Sequence, residues 1–207
     1  MRSDLSSLLR GIAVFLGCAV VFAATAALYF FSLQHPLPIE SWTEVGQEAA
    51  LFLASIAMML AVRKAPSKAG GIWLIAFFLL CLFIRELDAY FDIIRHGCWK
   101  YAAAAAVAVS LLLAFRSGVR TVLPGLADFI RSRAFILMAA GMAMLLVYSR
   151  LYGWKGLWLH FESGCGTWSD IKSFSEEAAE MVSYLLIFFS SVIYAIELPR
   201  EVHRDRL

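Results

Sequence analysis

Residues 11–33 read GIAVFLGCAVVFAATAALYFFSL, 23 in a row without a charged side chain. At 1.5 Å per residue, a helix of that length covers about 35 Å and crosses the roughly 30 Å hydrocarbon layer of a bilayer. Arg2 and Arg10 precede the stretch and Ala24-Thr25-Ala26 offers small residues for a signal peptidase. A signal peptide, however, has an apolar region of only about 7–15 residues, so the stretch reads as a first membrane anchor.

Working outward, further apolar runs occupy 49–62, 72–84, 101–115, 134–149 and 181–196, separated by segments carrying charge, Gly or Pro. The 207 residues are 61% hydrophobic and 16% charged, against about 25% charged in a soluble domain, so lipid must solvate most of the surface. None of the runs alternates polar and apolar residues as barrel strands do. The reading is an all-α polytopic membrane protein, a six-helix transmembrane bundle forming a single domain over 1–207. Its helices are expected at about 11–33, 43–63, 72–92, 100–115, 134–150 and 177–197.

Lys and Arg in short loops set the orientation. With the N-terminus inside, twelve basic and five acidic side chains fall on the inner face, against six basic and eleven acidic on the outer face. The bias favours cytoplasmic N- and C-termini, as in a protein of the bacterial inner membrane. Membrane insertion and anionic lipid account for the basic face, so no nucleic acid is implied. Trp42, Trp99, Trp154, Trp158 and Trp168 gather on the outer side, as an interfacial aromatic belt or the wall of a lipid pocket.

Between the fourth and fifth spans, Val122, Leu123, Leu126, Phe129 and Ile130 recur at helical spacing opposite Arg120, Asp128, Arg131 and Arg133. That pattern predicts an interfacial helix at about 122–132, with Pro124 in its first turn. The external loop, about 151–175, holds His160, Glu162 and Cys165 and has the composition of a cover over a site. Cys98 and Cys165 fall in two different outer loops and are expected to form a disulfide in an oxidising periplasm.

Several apolar runs fall short of the roughly 20 residues that a span needs, so each must recruit polar residues at its outer end. Counted from the inner boundary, Glu48, Glu86, Arg150 and Glu180 come to about the same depth, a few ångströms below the outer edge of the hydrocarbon. Ionisable groups at that depth are tolerated when they face the bundle interior and find partners, which makes them a site by default. Glu44 with Glu48, Asp88 with Asp92 and Glu176 with Glu180 are like-charged i,i+4 pairs that want a cation between them. Glu48, Glu86, Asp92, His96, Glu177 and Glu180 therefore form the expected ligand set for a divalent metal ion, supplying oxygen and imidazole donors. Arg85, Arg150 and Trp158 are the expected contacts for a substrate headgroup. His160, drawn toward Asp92 and His96 by the disulfide, is the candidate general base.

Glu176-Glu177 resembles the paired glutamates of CAAX-type membrane proteases. Met181 stands where the arginine of that motif should follow, and the two later histidine motifs are absent, so that chemistry is not implied. The leading expectation is a membrane-embedded enzyme acting from the periplasmic face on a lipid or lipid-linked substrate. The alternatives are a small proton or cation transporter or channel, and a non-catalytic subunit that docks a membrane-protein partner or a second copy of itself.

Overall fold

The computed structural model describes residues 2–35, 41–159, 168–199 and 201. It is built of helices, with no strand among the described residues. Ten α-helices follow in chain order. They are α1 (Arg2–Gln34), α2 (Trp42–Val62), α3 (Ala69–Glu86), α4 (Asp88–Ile94), α5 (Trp99–Arg116), α6 (Val122–Arg131), α7 (Ala134–Ala143), α8 (Arg150–Gly153), α9 (Lys155–Leu159) and α10 (Trp168–Glu197). Among the described residues, five stretches are long and apolar enough to cross a membrane: Trp42–Val62, Pro66–Glu86, Trp99–Arg116, Ala134–Gly153 and Ile171–Glu197.

The chain divides into two compact units, Met1–Gly46 and Gln47–Leu207. In the first, α1 runs for 33 residues and includes the apolar stretch Val14–Tyr29, with Phe15 and Val20 exposed. The ring of Phe31 meets those of His35 and Trp42 edge-on, at 4.4 and 5.8 Å. Ser41 begins α2 with a capping box. Its hydroxyl accepts from the backbone N–H of Glu44 at 3.1 Å, and the Glu44 carboxylate accepts from the backbone N–H of Ser41 in return, so two orphan donors of the first turn are satisfied.

In the second unit α10 is the central helix, with half of its apolar window buried, whereas α5 is peripheral with 17% buried. Tyr184, Ile187, Ser191 and Tyr194 recur along α10 at spacings of three and four, continued by Leu198 just past its end, and all are buried. The span Ala134–Gly153 presents Ala134, Met138, Gly141, Leu145 and Ser149 as its own buried stripe. At Gly141 the two helices come so close that a Cβ would meet Ser183 O at 2.8 Å, which is why a residue without a side chain stands there.

Buried serines in these helices are satisfied locally. Ser55 donates to Ala76 O at 3.0 Å and Ser190 to Ala134 O at 2.8 Å, joining neighbouring helices, while Ser183 and Ser191 donate one turn back along α10. With Leu51, Met58, Ile72, Leu79, Met138 and Leu145 they complete a packed, largely apolar middle.

The two ends of this unit are polar. At one, Lys64 donates to the terminal carbonyl of Ala195 on α10, and Glu201 accepts from both the backbone N–H and the hydroxyl of Ser67. Lys68 pairs with Asp128 at 2.6 Å, and Tyr194 donates to the other oxygen of the same carboxylate at 2.9 Å. The opposite end carries Gln47, Glu86, Ser149, Arg150, Glu177 and Glu180.

Several boundaries differ from the sequence expectation. The third helix, expected over 72–92, ends at Glu86, and the chain restarts as α4 after Leu87. The sixth, expected from 177, begins at Trp168, and α8 and α9 occupy part of the loop expected at 151–175. Polar residues do not end a helix on their own, so apolar periodicity places the start of the last helix too late, while the break at Leu87 cuts the third helix shorter than its periodicity suggests. The segment read as an interfacial helix is α6, and its inner side packs on the start of α3. A Cβ on Gly71 would meet Leu126 N and Val122 O, both at 2.5 Å, and one on Gly125 would collide with Lys68 O. Thr121 accepts from the N–H of Gly70 at 2.9 Å, so the same contact closes the first turn of α3.

Candidate functional site

The polar end with Glu86 and Glu180 gathers the greatest concentration of sheltered charge. Glu86 is the last residue of α3, and Glu180 lies one turn before Tyr184 on the inward face of α10. Their side chains are only 18% and 16% exposed, although neither is paired closely with a cation. Arg85 reaches Glu86 at 3.4 Å and Asp88 at 3.7 Å, and Arg150 reaches Glu180 at 3.9 Å, both guanidiniums remaining substantially exposed.

A hydroxyl makes the closest contact to one of the two carboxylates. Ser149, fully buried, donates to Glu180 Oε1 at 2.7 Å. Tyr184, 1% exposed, lies within electrostatic range of both Glu86 and Glu180, so a single phenol faces both acids. Glu86 and Glu180 are close enough for their charges to act on each other.

The span that supplies Ser149 and Arg150 is locally unwound. Residues Met144–Ser149 form a π-helical turn between α7 and α8, a wider coil that appears mostly as single turns and often at functional sites. The turn keeps Leu145 and Ser149 on the buried side and leaves Arg150 at the rim. Beyond it, the Trp158 indole N–H donates to Tyr152 O at 2.6 Å, and the rings of Tyr148, Tyr152 and Trp158 succeed one another at centroid distances of 6.3 and 6.4 Å. They form an aromatic wall on the same side of the membrane span as Arg150.

Asp92 and His96 belong to a different arrangement. His96 Nδ1 lies 2.7 Å from Asp92 Oδ2, and the N–H of Gly97, in the left-handed region at φ 76°, donates to Asp92 Oδ1 at 2.8 Å. The Gly97 N–H, followed by His96, holds the Asp92 carboxyl below its ordinary value. The imidazole is 95% exposed, so this pair closes the end of α4 at the surface. Glu177 lies against α2, its carbonyl accepting from Gln47 Nε2 at 3.1 Å, and Glu48 is the residue next to that contact.

Of the six expected metal ligands, then, Glu86 and Glu180 come together, Asp92 and His96 form a separate pair, and Glu48 and Glu177 stand at the α2–α10 contact. Among the described residues no three of His, Cys, Asp and Glu converge closely enough to share an ion. Arg85 and Arg150 flank the carboxylate pair. His160 and Cys165 lie outside the described residues, and with them the expected base and disulfide; Cys98 donates its thiol proton to Phe91 O at 3.1 Å.

Sequence reasoning missed Ser149, Tyr184 and the Asp128–Lys68–Tyr194 cluster. Signals existed for two of them. Tyr184 is four residues after Glu180 in an otherwise apolar run, which places both on one face, and Ser149 immediately precedes Arg150.

No known family, no curated protein and no solved structure matches this chain.

Proposed function

We propose that the chain is a membrane-embedded enzyme of the bacterial inner membrane that acts on a phosphate-bearing lipid or lipid-linked substrate, with the Glu86–Glu180 pair as its centre. The observation that carries this reading is two sheltered carboxylates within electrostatic range of each other, with Ser149 donating to Glu180 and with Arg85 and Arg150 at the rim, 3.4 and 3.9 Å from them and substantially exposed. In the proposed topology α1 is a sixth span, both termini are cytoplasmic, and the pair opens to the periplasm.

The ligand geometry narrows the metal. A structural zinc or calcium site draws three or more donors from the protein, whereas Mg²⁺ is typically held by one or two carboxylates, with water and substrate phosphate filling the rest of its shell. Glu86 and Glu180 fit the second arrangement. A cation of that kind would supply polarisation of a phosphoryl oxygen. Arg85 and Arg150 neutralise the incoming phosphate, whose bidentate recognition is what guanidinium geometry favours. Trp158 and the neighbouring tyrosines border its lipid chain, and His160 is the proposed base.

Transport of protons or cations is the weaker reading, because the buried serines between the two polar ends donate to backbone carbonyls and the middle of the bundle is packed.

Titration with Mn²⁺ tests the proposal on the full chain in nanodiscs with and without a polyprenyl phosphate. Stoichiometric Mn²⁺ should appear only with the phosphate lipid, and Glu86→Gln or Glu180→Gln should weaken it by roughly 10–100-fold, the scale of disturbing a metal's immediate surroundings. Tight Mn²⁺ without the lipid would instead require a fuller protein ligand set drawn from Glu48, Asp92, His96 and Glu177. No Mn²⁺ under either condition overturns the enzyme reading and puts the subunit reading first.

A further inference from the structure

We infer that the outer side of α6 is a binding surface for anionic phospholipid headgroups, at the end of the bundle opposite the Glu86–Glu180 pair. The helix docks through Gly125 and Phe129, which are buried, and leaves Leu123 and Ile130 exposed at 77% and 57%. Those two are seven residues apart, about two turns, so they lie along one edge of the free side. Arg120, in the turn that leads into the helix, and Arg131, at its end, are eleven residues apart, about three turns, and share the adjoining edge. The free side is thus apolar along one edge and basic along the other, the form of a helix seated at the headgroup level.

Charge complementarity names the occupant. Asp128 is the sole acid between Ser117 and Arg133, and Lys68 and Tyr194 already occupy both of its oxygens. Arg116, Arg120, Arg131 and Arg133 are exposed, and among the described residues none of them forms an ion pair. Insertion topology accounts for basic residues on this face in general. It does not account for a half-buried lysine neutralising the one acid of the segment 117–133 while these four arginines form no ion pair among the described residues and stand beside exposed leucine and isoleucine. Phosphodiester headgroups supply the missing charge, and their acyl chains cover Leu123 and Ile130.

Native mass spectrometry of the full chain, released from nanodiscs of phosphatidylcholine alone or mixed with phosphatidylglycerol, reads this directly. Phosphatidylglycerol should be retained in preference to phosphatidylcholine, and each Arg→Gln change at Arg120 or Arg131 should lower its retention about fivefold, as a basic residue near an anionic surface implies. Arg120→Lys and Arg131→Lys should keep most of the retention and show that the glutamine variants lost charge and not fold. Excess inorganic phosphate should not displace the lipid, since Leu123 and Ile130 hold only the acyl chains. Equal retention of the two lipids, or undiminished retention in the doubly substituted glutamine variant, overturns the inference.

Discussion

At the residue scale the decisive fact is that the buried Ser149 hydroxyl, at 2.7 Å, holds Glu180 more closely than Arg150, at 3.9 Å. Removing a buried donor leaves its acceptor unsatisfied, and in membrane helices such bonds are worth about 1–2 kcal/mol. Ser149→Ala should therefore lower the stability of the detergent-solubilised chain by about that amount, measured by thermal or denaturant unfolding. Loss of a comparable amount in Leu123→Ala, an exposed position, would show that the assay does not resolve the buried bond. Asp92 gives a pH-dependent counterpart at the surface. Its carboxyl is held below the ordinary value of 3.8 by the Gly97 N–H and by His96, so its contribution is complete above that value and disappears as pH falls through the lower folded-state value. Asp92→Asn should accordingly hasten exchange of the Gly97 amide near neutral pH and have no effect once acid has protonated the native carboxyl. An equal effect at both pH values would assign the change to backbone disturbance.

At the element scale, close approach decides more than apolar area. Gly71 faces backbone atoms of α6, which cannot move aside as a flexible side chain can. Gly71→Ala should cost about 1–3 kcal/mol of stability, the usual range for forced overpacking, and should loosen α6 in hydrogen exchange. Gly17→Ala, where a Cβ meets nothing within 4 Å, should leave stability unchanged or raise it. These distinctions were only partly legible in the sequence. Apolar length marks the spans from Trp42–Val62 to Ile171–Glu197, because that length is set by the bilayer and not by neighbours. The capping box at Ser41 and Glu44 was also legible, as Ser-x-x-Glu before an apolar run, and went unread. The break at Leu87 and the π-helical turn at Met144–Ser149 carry no such signature; the turn lies where its span packs on α10, a contact that no local pattern encodes. The glycines of α3 and α6 are visible as residues, but their mutual contact requires a long-range docking that no local pattern encodes.

At the scale of the whole molecule, the alternation of polar ends follows from antiparallel helices threading an apolar layer. The depth count brought Glu48, Glu86, Arg150 and Glu180 to one level; of these, Arg150 reaches Glu180 and Glu86 lies within electrostatic range of Glu180, while Glu48 stands beside the Gln47 contact with Glu177. Asp92 and His96 were assigned to the same site because the third helix was read as continuous; the break after Glu86 sends them to the surface. Cysteine substitution and labelling from either side of intact inner membrane vesicles should place Lys68 and Arg120 in the cytoplasm and Lys100 in the periplasm. Labelling of Lys68→Cys from outside would reverse the bundle and place the carboxylate pair on the cytoplasmic face. The central claim, that Glu86 and Glu180 jointly hold a cation together with the phosphate of a lipid, is tested most directly by electron–nuclear double resonance of Mn²⁺ bound to the full chain in nanodiscs containing a polyprenyl phosphate. The account predicts a ³¹P coupling to the bound Mn²⁺ that vanishes in the Glu86→Gln, Glu180→Gln double variant. Mn²⁺ that binds without a ³¹P coupling, or a coupling that survives in the double variant, would contradict it.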